Sequence, residues 1–216
     1  METVLHSSVR EPAVWQGSHV LVRQPAELTE IYRQGVNLCV WRRSLSPALG
    51  PWLEEVCSRY TLHVVERVDV KRADLRSALA ELPDTQEREA WSEELHLLLQ
   101  VYADLFEARW LGVRLTTLDQ EMCPRFHVDR VGVRLLCTYA GPATEWVENA
   151  DVVRSGLGPK GEVLRLGGRV QRLERFDVAL LKGEAWPKNA GNGAVHRSPR
   201  LPPGQRRIML SIDAVD

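Results

Sequence analysis

Up to about residue 108, apolar and charged positions alternate mainly at helical spacing. The longest such run, Thr85 to Trp110, is rich in helix formers and contains neither Gly nor Pro, so it predicts one long helix. Shorter amphipathic stretches predict helices from Pro25, a residue suited to a first turn, to a stop near Gly35, and again over 46–60 and 73–82. The exception is the stretch from Val36 to Arg42, whose β-branched and aromatic content predicts a strand.

Beyond residue 110 the pattern changes to short β-rich stretches separated by Gly, Pro and Asn: Leu111 to Leu118, Val131 to Tyr139, Glu162 to Leu166, Asp177 to Leu181 and Arg206 to Ile212. Short strands at that spacing predict a sandwich or barrel. The Gly-, Pro- and Asn-rich stretch from Gly183 to Pro203 lies between two strong strands and reads as a functional loop rather than a linker. The expected fold class is α+β, with a mainly helical section over 1–110 packed on a β-barrel core over 111–216, together forming a single domain.

Composition adds little to this picture. A chain of 216 residues can bury a good core as one domain, and 44% hydrophobic with 26% charged residues at net charge -1 is ordinary for a globular protein, giving no reason to expect nucleic acid. No run of about 18 apolar residues suggests a membrane span. The start, Met1 to Ser8, lacks the basic and apolar regions of a signal peptide, so the cytoplasm is the expected address. Cys39, Cys57, Cys123 and Cys137 form no CxxC pair and are expected to be reduced and mostly buried.

The chemistry is concentrated in the second half. His127 and Asp129 are two positions apart, so on an extended strand both project from one face and can meet one metal ion. His196, just before the final strand, is the candidate third ligand, completing a facial triad of two histidines and one carboxylate. Ten residues on, Arg206 has the strand parity of Ile208, Leu210 and Ile212, whereas Arg207 has that of Met209, Ser211 and Asp213. An arginine on an apolar face needs an anion, so Arg206 is the expected carboxylate holder, with Arg207 and Arg134 as rivals.

His-X-Asp, a distal His, and an Arg about ten residues later after a Gly-X-Arg step, here Gly204 to Arg206, resemble the iron(II)/2-oxoglutarate-dependent oxygenases. More narrowly, the stretches Leu135 to Trp146 and Leu181 to Pro199 resemble a bacterial domain-of-unknown-function family, the one numbered eighteen twenty-six. The first resemblance implies a double-stranded β-helix core of the jelly-roll or cupin-like kind, covering roughly 110–216. It also implies an oxidoreductase of the dioxygenase type, a hydroxylase or demethylase, that uses Fe(II) and 2-oxoglutarate. By position it makes His127, Asp129 and His196 metal ligands and Arg206 the anchor of the cosubstrate's C5 carboxylate, with Tyr139 adding a hydrogen bond.

Other readings of the same residues stay open. The triad on a cupin-like barrel would equally serve a non-catalytic metal-binding or metal-homeostasis protein taking Zn or another divalent ion without 2-oxoglutarate. A cupin-type enzyme could use the metal without an oxo acid. Cys123, His127 and Cys137 are a competing zinc set. Lys182 to Glu184 either touches substrate or closes a turn at Gly183. The substrate, small molecule or protein, and the oligomeric state are not legible.

Overall fold

The computed structural model of the chain describes residues 14–158 and 161–215; Met1 to Ser8, considered above for a leader, lies outside them. Among the described residues no helix is long and apolar enough to cross a membrane.

The long helix forms where expected, as α2 (Gln86–Phe106). Thr85 caps it by accepting from the Arg88 N–H, Glu87 and Glu89 complement the positive end of the dipole, and Glu107 ends it in the left-handed region at φ 51°. Trp91, Leu95, Leu98, Leu99 and Tyr102 form its buried face. A second helix, α1 (Leu49–Arg59), occupies most of the predicted 46–60 stretch.

The rest of the first half departs from the helical expectation. It contributes β1 (Val14–Gln16), β2 (His19–Val22) and β4 (His63–Asp69) where no strand was expected, beside β3 (Leu38–Trp41), which forms within the predicted 36–42 strand. Of the two further predicted helices, Pro25–Tyr32 is a 3-10 helix and 73–82 keeps only a 3-10 turn at Ser77–Leu79. The reason is tertiary. β4 pairs antiparallel with β5 (Trp110–Leu118) and β2 pairs parallel with β3, and ladder hydrogen bonds outweigh a weak local propensity for helix.

The second half adds β6 (Val133–Ala140), β7 (Glu145–Val147), β8 (Val170–Arg172), β9 (Val178–Lys182), β10 (Val195–Arg197) and β11 (Arg207–Ala214). The predicted strand over 162–166 is irregular, with only Leu164 bridging to Val152. Eight strands make one sheet in the order β1-β2-β3-β9-β6-β11-β5-β4, and β10-β7-β8 make a second. One face of the large sheet, with Leu111, Val113, Leu115, Leu135, Ile208, Leu210 and Ile212, packs on the helices in the main core. The opposite face carries Leu38, Val40, Leu136, Ala179 and Leu181 against Trp146 of the small sheet and Ala194 just before β10. The chain is therefore a two-sheet arrangement with the helices outside the large sheet, and the space between the sheets is where polar groups gather.

Candidate metal centre

His127 sits in irregular chain, yet it is fixed by the small sheet. It forms an antiparallel bridge with His196, each backbone N–H donating to the other's carbonyl at 3.0 Å. Directly opposed residues of an antiparallel pair project from the same face, so the two imidazoles are brought side by side, with ring centroids 4.5 Å apart. His196 is in turn opposite Trp146 on β7.

Asp129 reaches the same point from a loop rather than a strand. Its carbonyl accepts from the Glu184 N–H at 2.9 Å, and Gly183 donates to the Gly132 carbonyl at 2.8 Å. A Cβ at Gly183 would lie 2.1 Å from the Val131 oxygen and 2.6 Å from the Asp129 oxygen. Gly183 is thus where the chain after β9 must approach the Asp129 loop closely.

His127, Asp129 and His196 place one ligand-capable atom each within 4.8 Å of one another, and among the described residues they are the one His/Cys/Asp/Glu group with that property. The His127 Nδ1 lies 2.9 Å from the Arg125 carbonyl and the His196 Nδ1 lies 3.1 Å from the Ala194 carbonyl. Each Nδ1 therefore carries the proton and each Nε2 presents a lone pair, the arrangement that orients metal-binding imidazoles. Loss of solvation pushes the buried His196 imidazole down to about 4, against the upward pull of Asp129, so it is neutral at physiological pH.

Asp129 is the informative member. Its Oδ1 is ion-paired with the Arg134 Nη1 at 2.8 Å and lies 3.8 Å from the His127 Nε2, while its Oδ2 is buried without a hydrogen-bond partner among the described residues, 3.4 Å from the His196 Nε2. A buried carboxylate oxygen facing an imidazole lone pair, with a second imidazole alongside, is unfavourable unless something cationic sits among them. The donor set of two nitrogens and one oxygen fits a divalent transition metal, with positions left for other ligands.

The His127 and His196 side chains line a cavity of about 440 Å³ between the sheets, together with Arg134, Leu136, Thr144, Arg207, Met209 and Ser211. Arg207 is 1% exposed. Among the described residues its Nε and Nη1 have no hydrogen-bond partner and its Nη2 meets only the Met209 sulfur, at 2.6 Å, and burial pushes its pKa down to about 10. A cation held this way awaits an anion.

Arg206 and Tyr139 lie elsewhere. The Arg206 guanidinium donates to the Ser58 and Tyr60 carbonyls and to the Thr61 hydroxyl, at the C-terminal end of α1. Tyr139 is fully buried on the helical side, edge-on to Trp91, with its hydroxyl 3.3 Å from Glu94. The strand parities read from the sequence hold; the assignment of faces does not. The wholly apolar face covers itself with helices, and the mixed face lines the cavity with Arg207, Met209 and Ser211. Arg134 is also in the cavity, where Asp213 and Asp129 occupy its guanidinium. The alternative zinc set is not assembled, because Cys137 is buried beside Arg43 on the helical side while Cys123 is exposed.

Residues 22–213 match the family described as a protein of unknown function, DUF1826. The chain belongs to that family. No curated protein matches it. Among solved structures, the dioxygenase for auxin oxidation 1 from Arabidopsis thaliana, in a binary complex with 2-oxoglutarate, aligns over 93% of this chain and 92% of its own at TM-score 0.55 and 10% identity. A prolyl-4-hydroxylase from Pseudomonas putida aligns over 93% and 97% at TM-score 0.49 and 14% identity. The first of these likenesses shows that this DUF1826 chain shares the dioxygenase's fold.

Proposed function

We propose that this DUF1826 protein is an Fe(II)/2-oxoglutarate-dependent oxygenase, with His127, Asp129 and His196 as metal ligands and Arg207 as the anchor of the cosubstrate's distal carboxylate. The observation that carries this reading is that the two imidazoles grouped with Asp129, one of whose oxygens is buried and unpartnered, line the same cavity as a buried guanidinium whose Nε and Nη1 are unpartnered. The former group wants a cation and the latter an anion, and a metal chelated by a dicarboxylate satisfies both. The fold shared with a 2-oxoglutarate-binding dioxygenase supports the same reading.

Fe(II) with 2-oxoglutarate supplies the activation of dioxygen that oxidises a substrate C–H bond. The chain's own residues do the rest. The Arg125 and Ala194 carbonyls hold the two imidazoles in the ligating tautomer. Arg207 fixes one end of the cosubstrate with its Nε and Nη1, donors that no acceptor among the described residues claims. Leu136 and Met209 give the cavity apolar walls that limit water.

Anaerobic titration of the metal-free protein with Fe(II) and 2-oxoglutarate tests the proposal. The expected result is a visible charge-transfer band that is lost in His196→Ala and in Arg207→Met, with 2-oxoglutarate-dependent succinate formation in air. Tight zinc binding with no affinity for 2-oxoglutarate would instead favour a non-catalytic metal-binding protein.

A further inference from the structure

The cavity contains four arginines, and three are already paired with carboxylates: Arg114 with Asp213, Arg197 with Glu145, and Arg134 with two at once. Arg134 is the unusual one. Its Nε and Nη2 form a two-pronged fork on Asp213, each prong at 2.8 Å, and its Nη1 reaches the Asp129 Oδ1 at 2.8 Å. Burial alone would lower the Arg134 guanidinium, but its bonds to Asp213 and Asp129 hold it above its ordinary value, so it stays charged. Asp213 is buried on β11, the strand that begins with Arg207, and shares its face.

The carboxylate of Asp129 sits on a loop, and either or both of its oxygens could turn to a metal. Arg134 removes that freedom. A guanidinium forked onto Asp213 is rigid, and its remaining arm occupies the Asp129 Oδ1 while the unpartnered Oδ2 faces the His196 imidazole.

Resting on the oxygenase reading above, we propose that Arg134 is a positioning residue that keeps Asp129 a one-oxygen metal ligand, so that the metal retains the vacant positions a two-pronged 2-oxo acid needs. Freed of Arg134, Asp129 would offer both oxygens and close one of those positions. Removing a cation beside a metal does not by itself weaken metal binding; the loss falls on the cosubstrate.

The test uses Co(II) in place of Fe(II) on the full chain, reading Co(II) affinity, the visible d–d absorption and 2-oxoglutarate affinity of the loaded protein. In Arg134→Gln, Co(II) affinity is retained, the d–d band changes with the ligand count, and 2-oxoglutarate binds at least tenfold more weakly. In Arg134→Lys, whose compact ammonium cannot span both carboxylates, the weakening is smaller and in the same direction; this variant decides the matter if the first does not fold. A merely structural role would lower the melting temperature and leave the d–d band and the 2-oxoglutarate affinity at wild-type values, and that outcome overturns the proposal. Loss of Co(II) binding in a folded variant overturns it as well, because Arg134 would then govern whether Asp129 ligates at all. Wild-type protein that binds neither Co(II) nor 2-oxoglutarate sinks the oxygenase reading and this inference together; wild-type binding with unaltered variants sinks only this one.

Discussion

Arg206 and Arg207 are consecutive in the chain, yet their guanidiniums lie on opposite sides of the large sheet: Arg206 caps carbonyls at the end of α1, while Arg207 enters the cavity beside His127 and His196. Their functions should separate accordingly. Arg207→Met exchanges an uncompensated buried cation for an apolar side chain, so the cosubstrate-free protein should melt no lower than wild type. Its affinity for 2-oxoglutarate should fall by about 2 kcal/mol or more, roughly 30-fold. Arg206→Ala should lose stability and leave that affinity unchanged. Calorimetric titration with parallel melting curves decides it, and the reverse assignment would follow if Arg206→Ala were the variant that lost binding.

Tyr139 belongs to a different network, in which Arg43 is ion-paired with Glu94 and the tyrosine hydroxyl meets the same carboxylate. Tyr139→Phe should cost about 1 kcal/mol of stability, the ordinary worth of one buried hydrogen bond. Glu94→Ala, which strands the buried Arg43, should cost about 3–5 kcal/mol. Neither should change 2-oxoglutarate affinity, and a loss of cosubstrate binding in Tyr139→Phe at unchanged stability would contradict the placement.

Gly183→Ala should act on the metal centre from a distance. The added methyl would collide with the Val131 and Asp129 oxygens, both backbone atoms that cannot swing aside. The loop that presents Asp129 must then shift, and metal affinity should drop at least about tenfold, in line with the cost of disturbing groups that orient ligands. Competition against a fluorescent chelator measures this. Alanine tolerated with full affinity would show that the loop adapts.

Glu148 clamps the two sheets. Directly after β7, its carboxylate accepts from the Ser18 N–H at 2.6 Å, and also meets the Ser18 hydroxyl and the His19 Nδ1 at the start of β2. Partial burial would raise its pKa, but the His19 and Ser18 hydrogen bonds prevail and bring it down to about 2. A carboxylate with a depressed folded-state pKa binds fewer protons folded than unfolded. Its contribution is therefore complete above the ordinary value of 4.5 and lost as pH falls toward 2. A tenfold change in proton affinity is worth about 1.4 kcal/mol, which limits the contribution to a few kcal/mol. Chemical denaturation between pH 6 and roughly pH 3 should show a steeper loss of stability in wild type than in Glu148→Gln; equal slopes would remove Glu148 as the cause.

What the sequence by itself determined is what local chemistry and strand parity can specify. The long helix was legible because Thr85 to Trp110 is rich in helix formers and free of Gly and Pro. Strands such as β3, β5, β6, β9 and β11 were legible from β-branched content. The triad candidates were legible because His-X-Asp and a distal His are rare enough in order and context to be noticed. Parity also separated Arg206 from Arg207 correctly.

What parity could not say is which face of β11 looks inward. Both faces are buried in a layered fold, and an apolar face is equally well satisfied by a pocket wall or by a helix. Only the docking of α2 on Ile208, Leu210 and Ile212 turned Arg207 into the cavity and Arg206 out of it. The same holds for β4, whose sequence alone suggests no strand until β5 lies alongside, and for the meeting of His127 with His196, which depends on a bridge between residues 69 positions apart. Arg134 between Asp129 and Asp213 is the extreme case: three charged residues of no evident pattern become one unit because the loop and two strands converge there, and a buried charge is stable only where its partners have been brought to it.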